Sequence, residues 1–506
     1  TAITASENVG FYDATIKSVT GAKTSVLSAG TLSADSVKTF AGVSGIINVG
    51  SYASVTDFEG LITAKTPEAE ISIERVKGIS KLILTSDESG KFSEATVKDI
   101  AEESTLTVSV IDGNENITDI ANGTVVLYTA GKDISGAVNI LNKTPDEKLL
   151  TPFYYPKTKS VKAEWAEAIT LSYNTVETNL PNIDKVFEII TANDNNAIDY
   201  TIRFNTPVTF DKLTIPSDAN SIDFTGSEMT FTGKTLKLPV DTYFGCRLIA
   251  ENTAITASKN VTIGESNIKS ITGTKNSVLT IYNYVCVGSV KTFGNVVSNG
   301  VGTLFVDGTM SGISNFSGAL YATSDSTLTI TNVNDFTYIG LYSDAEGEFA
   351  KVTVNGVTEE EIMLEILDEN GNSVDLSSGT VVMYSSKDIS ENIIIENETP
   401  DEKPLTSFYY KKNKSIKAEW KDTITLSYDD TNVNLPNIDK VFEVITSNKD
   451  KTIDYTIRFN TPVEFDKLTI PTYANSIEFT GSEMTFTGTS LKLPVTTTFA
   501  CNLTAE

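Results

Sequence analysis

Apolar and polar residues alternate at period two along most of this chain. In residues 198–204, Ile-Asp-Tyr-Thr-Ile-Arg-Phe, the pattern places Ile198, Tyr200, Ile202 and Phe204 on one face and Asp199, Thr201 and Arg203 on the other. Residues 169–173, 213–215, 222–224, 229–231 and 236–238 alternate likewise, and they are filled with the Thr, Val, Ile, Tyr and Phe that a pleated surface favours. A helical period is hard to find. Residues 183–191 fit one best, yet Val186, Ile189 and Ile190 suit a strand about as well.

The chain is a duplication. Thr1-Ala-Ile-Thr-Ala-Ser6 recurs as Thr253-Ala-Ile-Thr-Ala-Ser258, an offset of 252, and residues 179–188 recur at 434–443, an offset of 255. From Thr144 to Leu248 the copies align without a gap onto Thr399 to Leu503, whereas residues 41–79 match their counterpart loosely, apart from anchors such as Phe58 with Phe316. The expected organisation is one repeat unit over 1–252 and a second over 253–506, continuous with it, taken from a longer tandem array. The divergent stretches, 41–79 and 295–332, fit either a ligand-binding surface whose specificity differs between the copies or an unused face where packing is relaxed.

Spacing chooses between a parallel β-solenoid and tandem β-sandwich domains. Three short strands at 221–226, 227–233 and 235–240 lie about seven residues apart, which gives rungs of roughly 20 to 24 residues and about 23 rungs in all. Asn-Gly and Asp-Gly hairpin pairs, which a sandwich would use, are scarce here. No Pro/Gly/Ser-rich linker interrupts 246–271, where separate beads would show a boundary. The prediction is an all-β chain folded as a parallel β-solenoid, with the tandem sandwich as the alternative. Residues 123–128 and 151–157 fit a regular rung poorly and predict irregular rungs or a small packed excursion.

These runs, with Ser277-Val-Leu-Thr-Ile281 and Ser326-Thr-Leu-Thr-Ile330, resemble the right-handed parallel β-helix (pectate-lyase-like) tandem-repeat proteins of bacterial cell surfaces, best over 212–333. The resemblance implies a right-handed coil and an extracellular, cell-surface location. It also implies either a non-catalytic adhesin or stalk module, or a glycan-active β-helix lyase or hydrolase.

Composition narrows the chemistry. Sixty-six acids against 39 bases give a net charge of −27, which argues against nucleic acid and against docking on an anionic bilayer. Histidine is absent, so Ser-His-Asp and Cys-His nucleophiles and His-ligated metals are excluded. No apolar run approaches the roughly 18 residues of a membrane-spanning helix. Three cysteines, Cys246, Cys286 and Cys501, are too few for a disulfide framework and read as small apolar residues.

Four constellations carry candidate chemistry. Asp112, Asn114 and Asn116 align with Asp368, Asn370 and Asn372, and each trio resembles the opening of a calcium loop. However, Ile117 and Ser373 stand where such a loop needs Gly, and Gly123 and Gly379 where it needs Glu; an Asn/Asp/Gly turn is the competing reading. Tyr154, Tyr155 and Trp165, repeated as Tyr409, Tyr410 and Trp420, are candidates for stacking on sugar rings, against a packing role. Lys411-Lys-Asn-Lys414 is a short basic patch and reads as a solvated loop. Asp199 with Arg203, repeated as Asp454 with Arg458, supplies the acid and base types of a lyase groove, although cross-strand ion pairs explain them more simply. The expected function is a rigid adhesin or stalk module without catalysis. Its expected partner is a glycan or a host or bacterial surface protein, with calcium the one candidate cofactor.

Overall fold

Alternation at period two becomes a stack of parallel ladders. The computed structural model describes residues 1–142, 149–298, 300–358, 360–397 and 404–505; it is 58% strand and 6% helix, coiled as a β-solenoid of about 24 turns. The first residues of the gapless repeat block, 144–148 and 399–403, lie outside the described residues. Two compact units divide the chain, Thr1–Ile189 and Ile190–Glu506.

In the second unit three columns of inward side chains build the core. One runs Tyr200, Ile222, Thr242, Val261, Leu279, Val296, Phe316, Val333, each directly opposite the next on the following rung. A second runs Leu236, Ile255, Ile271, Val290, Met310, Leu328, Val352, and every member is buried. The third passes through Met229, Leu248, Ser266, Val285 and Leu304. Because each side chain packs on those directly above and below it, stability accrues rung by rung. Strand Leu248–Ala257 spans the sequence boundary at Asn252, and its ladders continue on both sides.

The first unit is built in the same way. Val9 lies opposite Leu27 and Tyr52 opposite Glu70, steps of 18 residues, shorter than the 20 to 24 read from the sequence. Rungs then lengthen: Glu70 lies opposite Glu94, Ile79 opposite Thr105 and Leu106 opposite Val138. The second unit repeats the progression, from Val261 opposite Leu279 to Thr327 opposite Lys351 and Ile362 opposite Ile393. Part of the added length is tight turns that leave a rung and return to it, at residues 87–91, 112–116, 344–348 and 368–372.

The expected packed excursion follows the longest rung in each copy. Leu150–Tyr155 and Ser160–Trp165 form an antiparallel hairpin, and Ser160–Trp165 pairs antiparallel with Thr124–Tyr128. Leu150–Tyr155 is the edge strand, so Pro152 forfeits no interior ladder bond. A helix, α1 (Ile183–Asn193), follows a second hairpin. The Asn182 side chain settles the ambiguity left by periodicity, since its Oδ1 accepts the Lys185 N–H at 3.1 Å and caps the first turn. In the second unit Leu405–Tyr410, Ser415–Trp420 and helix α2 (Ile438–Asn448) repeat the arrangement, with Asn437 capping Lys440 at 3.0 Å. The parallel coil resumes there at Asp454–Phe459.

Candidate functional site

The hairpin divides the predicted sugar-stacking residues between its two faces. Its register, with Leu150 opposite Trp165 and Tyr155 opposite Ser160, puts Tyr154 and Trp165 on the face packed against the first unit's core and Tyr155 on the other. Tyr409 and Tyr410 are split in the same way, Tyr409 being buried while Trp420 is 40% exposed. No flat three-ring platform results.

Tyr155 instead belongs to a buried polar cluster. Its hydroxyl donates to Glu164 Oε2, and Asn182 Nδ2 donates to the same carboxylate at 3.0 Å and to the Tyr155 oxygen. The ammonium groups of Lys162 and Lys185 each lie 4.6 Å from the centre of the Tyr155 ring. Burial pushes the Glu164 carboxyl up, against the opposing pull of the Tyr155 hydroxyl and the two lysines. Burial likewise pushes the Tyr155 hydroxyl up. Tyr410, Glu419, Asn437, Lys417 and Lys440 reproduce the cluster in the second unit. Tyr155, Glu164 and Asn182 are tied to one another, so the cluster acts as a clasp between hairpin and helix cap.

The two trios proposed for calcium are tight turns. Asp112 Oδ1 accepts the N–H groups of Asn114 and Asn116 at 2.8 and 2.9 Å, and Asn116 Nδ2 also donates to the carboxylate. Asp368 does the same for Asn370 and Asn372. These hydrogen bonds hold both carboxyls below the usual range. The same turn recurs at Asp87 and Asp344, where no Asn accompanies the acid. Turn geometry therefore accounts for the aspartate at all four positions. Among the described residues no three Cys, Asp or Glu side chains are grouped so as to hold a metal ion.

The Asp199 carboxylate, for which a cross-strand ion pair was the simpler expectation, accepts from Asn220 Nδ2 and Ser221 Oγ, both at 2.7 Å, and Asp454 is held likewise by Asn475 and Ser476. Lys411 and Lys414 are exposed in the turn between Leu405–Tyr410 and Ser415–Trp420.

Two outward features emerge that sequence reading did not find. In the second unit Tyr284, Phe305, Tyr342, Tyr321 and Tyr338 form a continuous row of rings over neighbouring rungs, Tyr338 and Tyr342 sharing one strand, with neighbouring centroids 5.3 to 6.3 Å apart. Tyr284 is about half exposed, at 48%. Gly340 lies opposite Tyr321, and a Cβ there would come within 2.6 Å of that ring, so the missing side chain lets the ring lie against the sheet. In the first unit an alternating charge ladder occupies the outer face. Arg75 stands between Asp57 and Asp99 on adjacent rungs; it grips Asp57 with two hydrogen bonds of 2.9 and 3.1 Å. Lys77 reaches Asp57 at 2.7 Å and Lys132 pairs with Asp99. Asp57, Glu59 and Lys77 border a depression of about 330 Å³. Both features join residues 17 to 37 apart in sequence, so only the rung length brings them together.

No family model, no curated protein and no solved structure matches this chain.

Proposed function

We propose that the chain is a non-catalytic repeat module of a bacterial surface, secreted or attached to the cell wall, which presents its outer face to a glycan. What carries this reading is the row of five rings set on rungs whose inward columns match those of the charged copy. The interior is held constant while the outward chemistry changes, which suits a scaffold that displays a surface. Aromatic rings offer an apolar face to the C–H face of a sugar, and a row with one ring every rung or so suits a linear polysaccharide lying across the rungs. The acidic, cysteine-poor composition supports a location outside the cell, where like charge keeps neighbouring modules apart.

Binding to immobilised β-glucan, chitin, pectin, alginate and glycosaminoglycans, with released sugar ends measured in parallel, tests the reading. At least one polysaccharide is expected to bind without turnover, Tyr321→Ala with Tyr342→Ala to lose at least tenfold in affinity, and Trp420→Ala to keep it. Unchanged binding by the double variant, or any sugar release, overturns the proposal.

A further inference from the structure

A depression in the first unit is built for a cation that the second unit supplies from its own chain. Strand Thr124–Tyr128 runs beside strand Glu94–Ile100 with Tyr128 opposite Thr96, so the Tyr128 ring and the Glu94 side chain share the outer face. Between them and the tight turn at residues 87–91 lies a depression of about 220 Å³, bordered by Phe92, Glu94, Val125 and Tyr128. The Tyr128 side is open, the residue being 40% exposed. On the preceding rung Glu70 stands directly opposite Glu94, and two carboxylates side by side on neighbouring strands repel unless a cation joins them. Lysines of the same region are engaged elsewhere, Lys65 with Glu115 and Lys98 with Glu74. Lys91 also borders the depression but turns its charge to Asp87, whose carboxyl the Ser89 hydroxyl and, to a smaller degree, Lys91 hold below the usual range.

The second unit carries the occupant. Tyr384 corresponds to Tyr128 and lies opposite Thr353 in the same pairing, and Lys351 stands at the position of Glu94. The Lys351 ammonium lies 4.9 Å from the centre of the Tyr384 ring, within the range of a cation–π contact. Thr327, opposite Lys351, takes the place of Glu70, so both carboxylates are gone where the chain provides its own ammonium. One copy thus has the ring with a lysine over it, and the other has the ring, two acids and an open depression. We propose that this depression receives a lysine side chain of a partner protein, its ammonium over the Tyr128 ring and paired with Glu94, as Lys351 sits over Tyr384. Size favours a side chain over a sugar chain, since sites that enclose drug-sized molecules span roughly 300–1,000 Å³. Phe92 and Val125 offer apolar surface to the methylene stem. The net charge of −27 draws basic partners towards the module. A single exposed ammonium over one ring binds weakly, so the isolated side chain is held only in the millimolar range and the contact serves as one anchor of a wider interface.

Titration of the whole chain, its tyrosine rings isotope-labelled for NMR, tests this at physiological salt. The Tyr128 and Tyr384 signals are those that Tyr128→Phe and Tyr384→Phe remove. The probe is Nα-acetyl-lysine N-methylamide, with the norleucine analogue as its uncharged control. The lysine derivative is expected to shift the Tyr128 signal saturably and to leave Tyr384 in place, while the norleucine analogue shifts neither. Glu94→Lys should weaken the Tyr128 response at least fivefold, and it should fold, because the second copy carries lysine on the same ladder. Lys351→Glu should bring the response to Tyr384. The proposal is overturned if Tyr128 does not respond, responds equally to norleucine, or still responds in full after Glu94→Lys, and equally if Tyr384 stays silent after Lys351→Glu. A methyl glucosaminide that shifts Tyr128 at lower concentration than the lysine derivative overturns the assignment to lysine.

Discussion

The divergent stretches of the two copies share an interior and differ in what they show to solvent. Within these stretches and on the rungs that follow, Ile71, Ile73, Val76, Leu82 and Leu84 of the first copy correspond to Leu328, Ile330, Val333, Ile339 and Leu341 of the second, and all ten are buried. Outward, the same rungs part company. Asp57, Arg75 and Lys77 of the first unit stand where the second has Asn315, Asn332 and Asn334, and its exposed Lys81 stands where the second has Tyr338, while the buried Thr63 and Thr85 stand where the second has Tyr321 and Tyr342. One copy thus ties its outer face with an ion-pair ladder. The other uses stacked amides, Asn315 Nδ2 donating to Asn295 Oδ1 at 2.9 Å, together with rings. The lesson is that a solenoid separates its constraints: the inward positions answer to the rung above and below, and the outward ones are free to carry chemistry.

The comparison breaks most readily at its interior. Phe58 and Phe316 are both almost wholly buried and occupy matching positions. Phe58→Ala and Phe316→Ala should each cost about 3–5 kcal/mol, by the lost transfer energy and the cavity left behind. Denaturant unfolding, followed by amide exchange in each unit separately, measures both. Costs that differ by more than about 2 kcal/mol would mean that the two interiors are not equivalent.

How much of this was legible in the residues follows from the same separation. Inward positions carry the period-two signature, so the strands around Tyr200, Ile202, Phe224 and Leu236 and the parallel coil could be read directly. The hairpin at Leu150–Tyr155 announced itself only as a misfit, because its antiparallel pairing depends on Thr124–Tyr128, more than twenty residues away. Helix α1 was half visible: the apolar spacing was ambiguous, but Asn182 directly before Ile183 is a cap that periodicity does not weigh. The Asp112 trio left turn and metal loop undivided in the sequence, because a tight turn and a calcium loop both begin by folding backbone N–H groups around an aspartate. The ring row and the charge ladder were invisible without rung lengths, which vary from 16 to 32 residues.

The charged face can be sharpened with pH. Arg75 beside Asp57 holds its carboxyl below the usual range, against some burial, so the fold favours the ionised form. That contribution is complete above the unfolded value near 3.9 and is lost as pH falls through the lower folded one. Asp57→Asn should therefore cost about 1 kcal/mol at neutral pH, discounted because the partners are exposed, and nothing once pH has fallen below the lowered folded value. Asn315→Ala in the uncharged copy should show no such dependence. Stability curves for both variants between pH 2 and pH 7 test the contrast, and an equal pH response in the two would remove the distinction between the faces.

The smallest effect concerns the four aspartate turns. The fourth residue of each has positive φ: Gly90 at 84°, Gly347 at 83°, Gly371 at 80°, and in the remaining turn Glu115 at 65°. A side chain there strains the backbone, and glycine does not, so Glu115→Gly relieves strain in the folded state while adding freedom to the unfolded one. The Glu115 side chain also pairs with Lys65 at 3.1 Å, but both groups are well exposed and the pair contributes at most a few tenths of a kcal/mol. The expected balance is a gain of about 0.5 kcal/mol that grows in high salt, where the ion pair is screened. The reverse exchange, Gly371→Glu, should cost about 1 kcal/mol, since it adds the strain without a lysine placed to meet it. If Glu115→Gly still destabilises at high salt, the backbone angle is not what sets this turn apart from the other three, and the difference between the copies at these loops must lie in the contacts of the side chain instead.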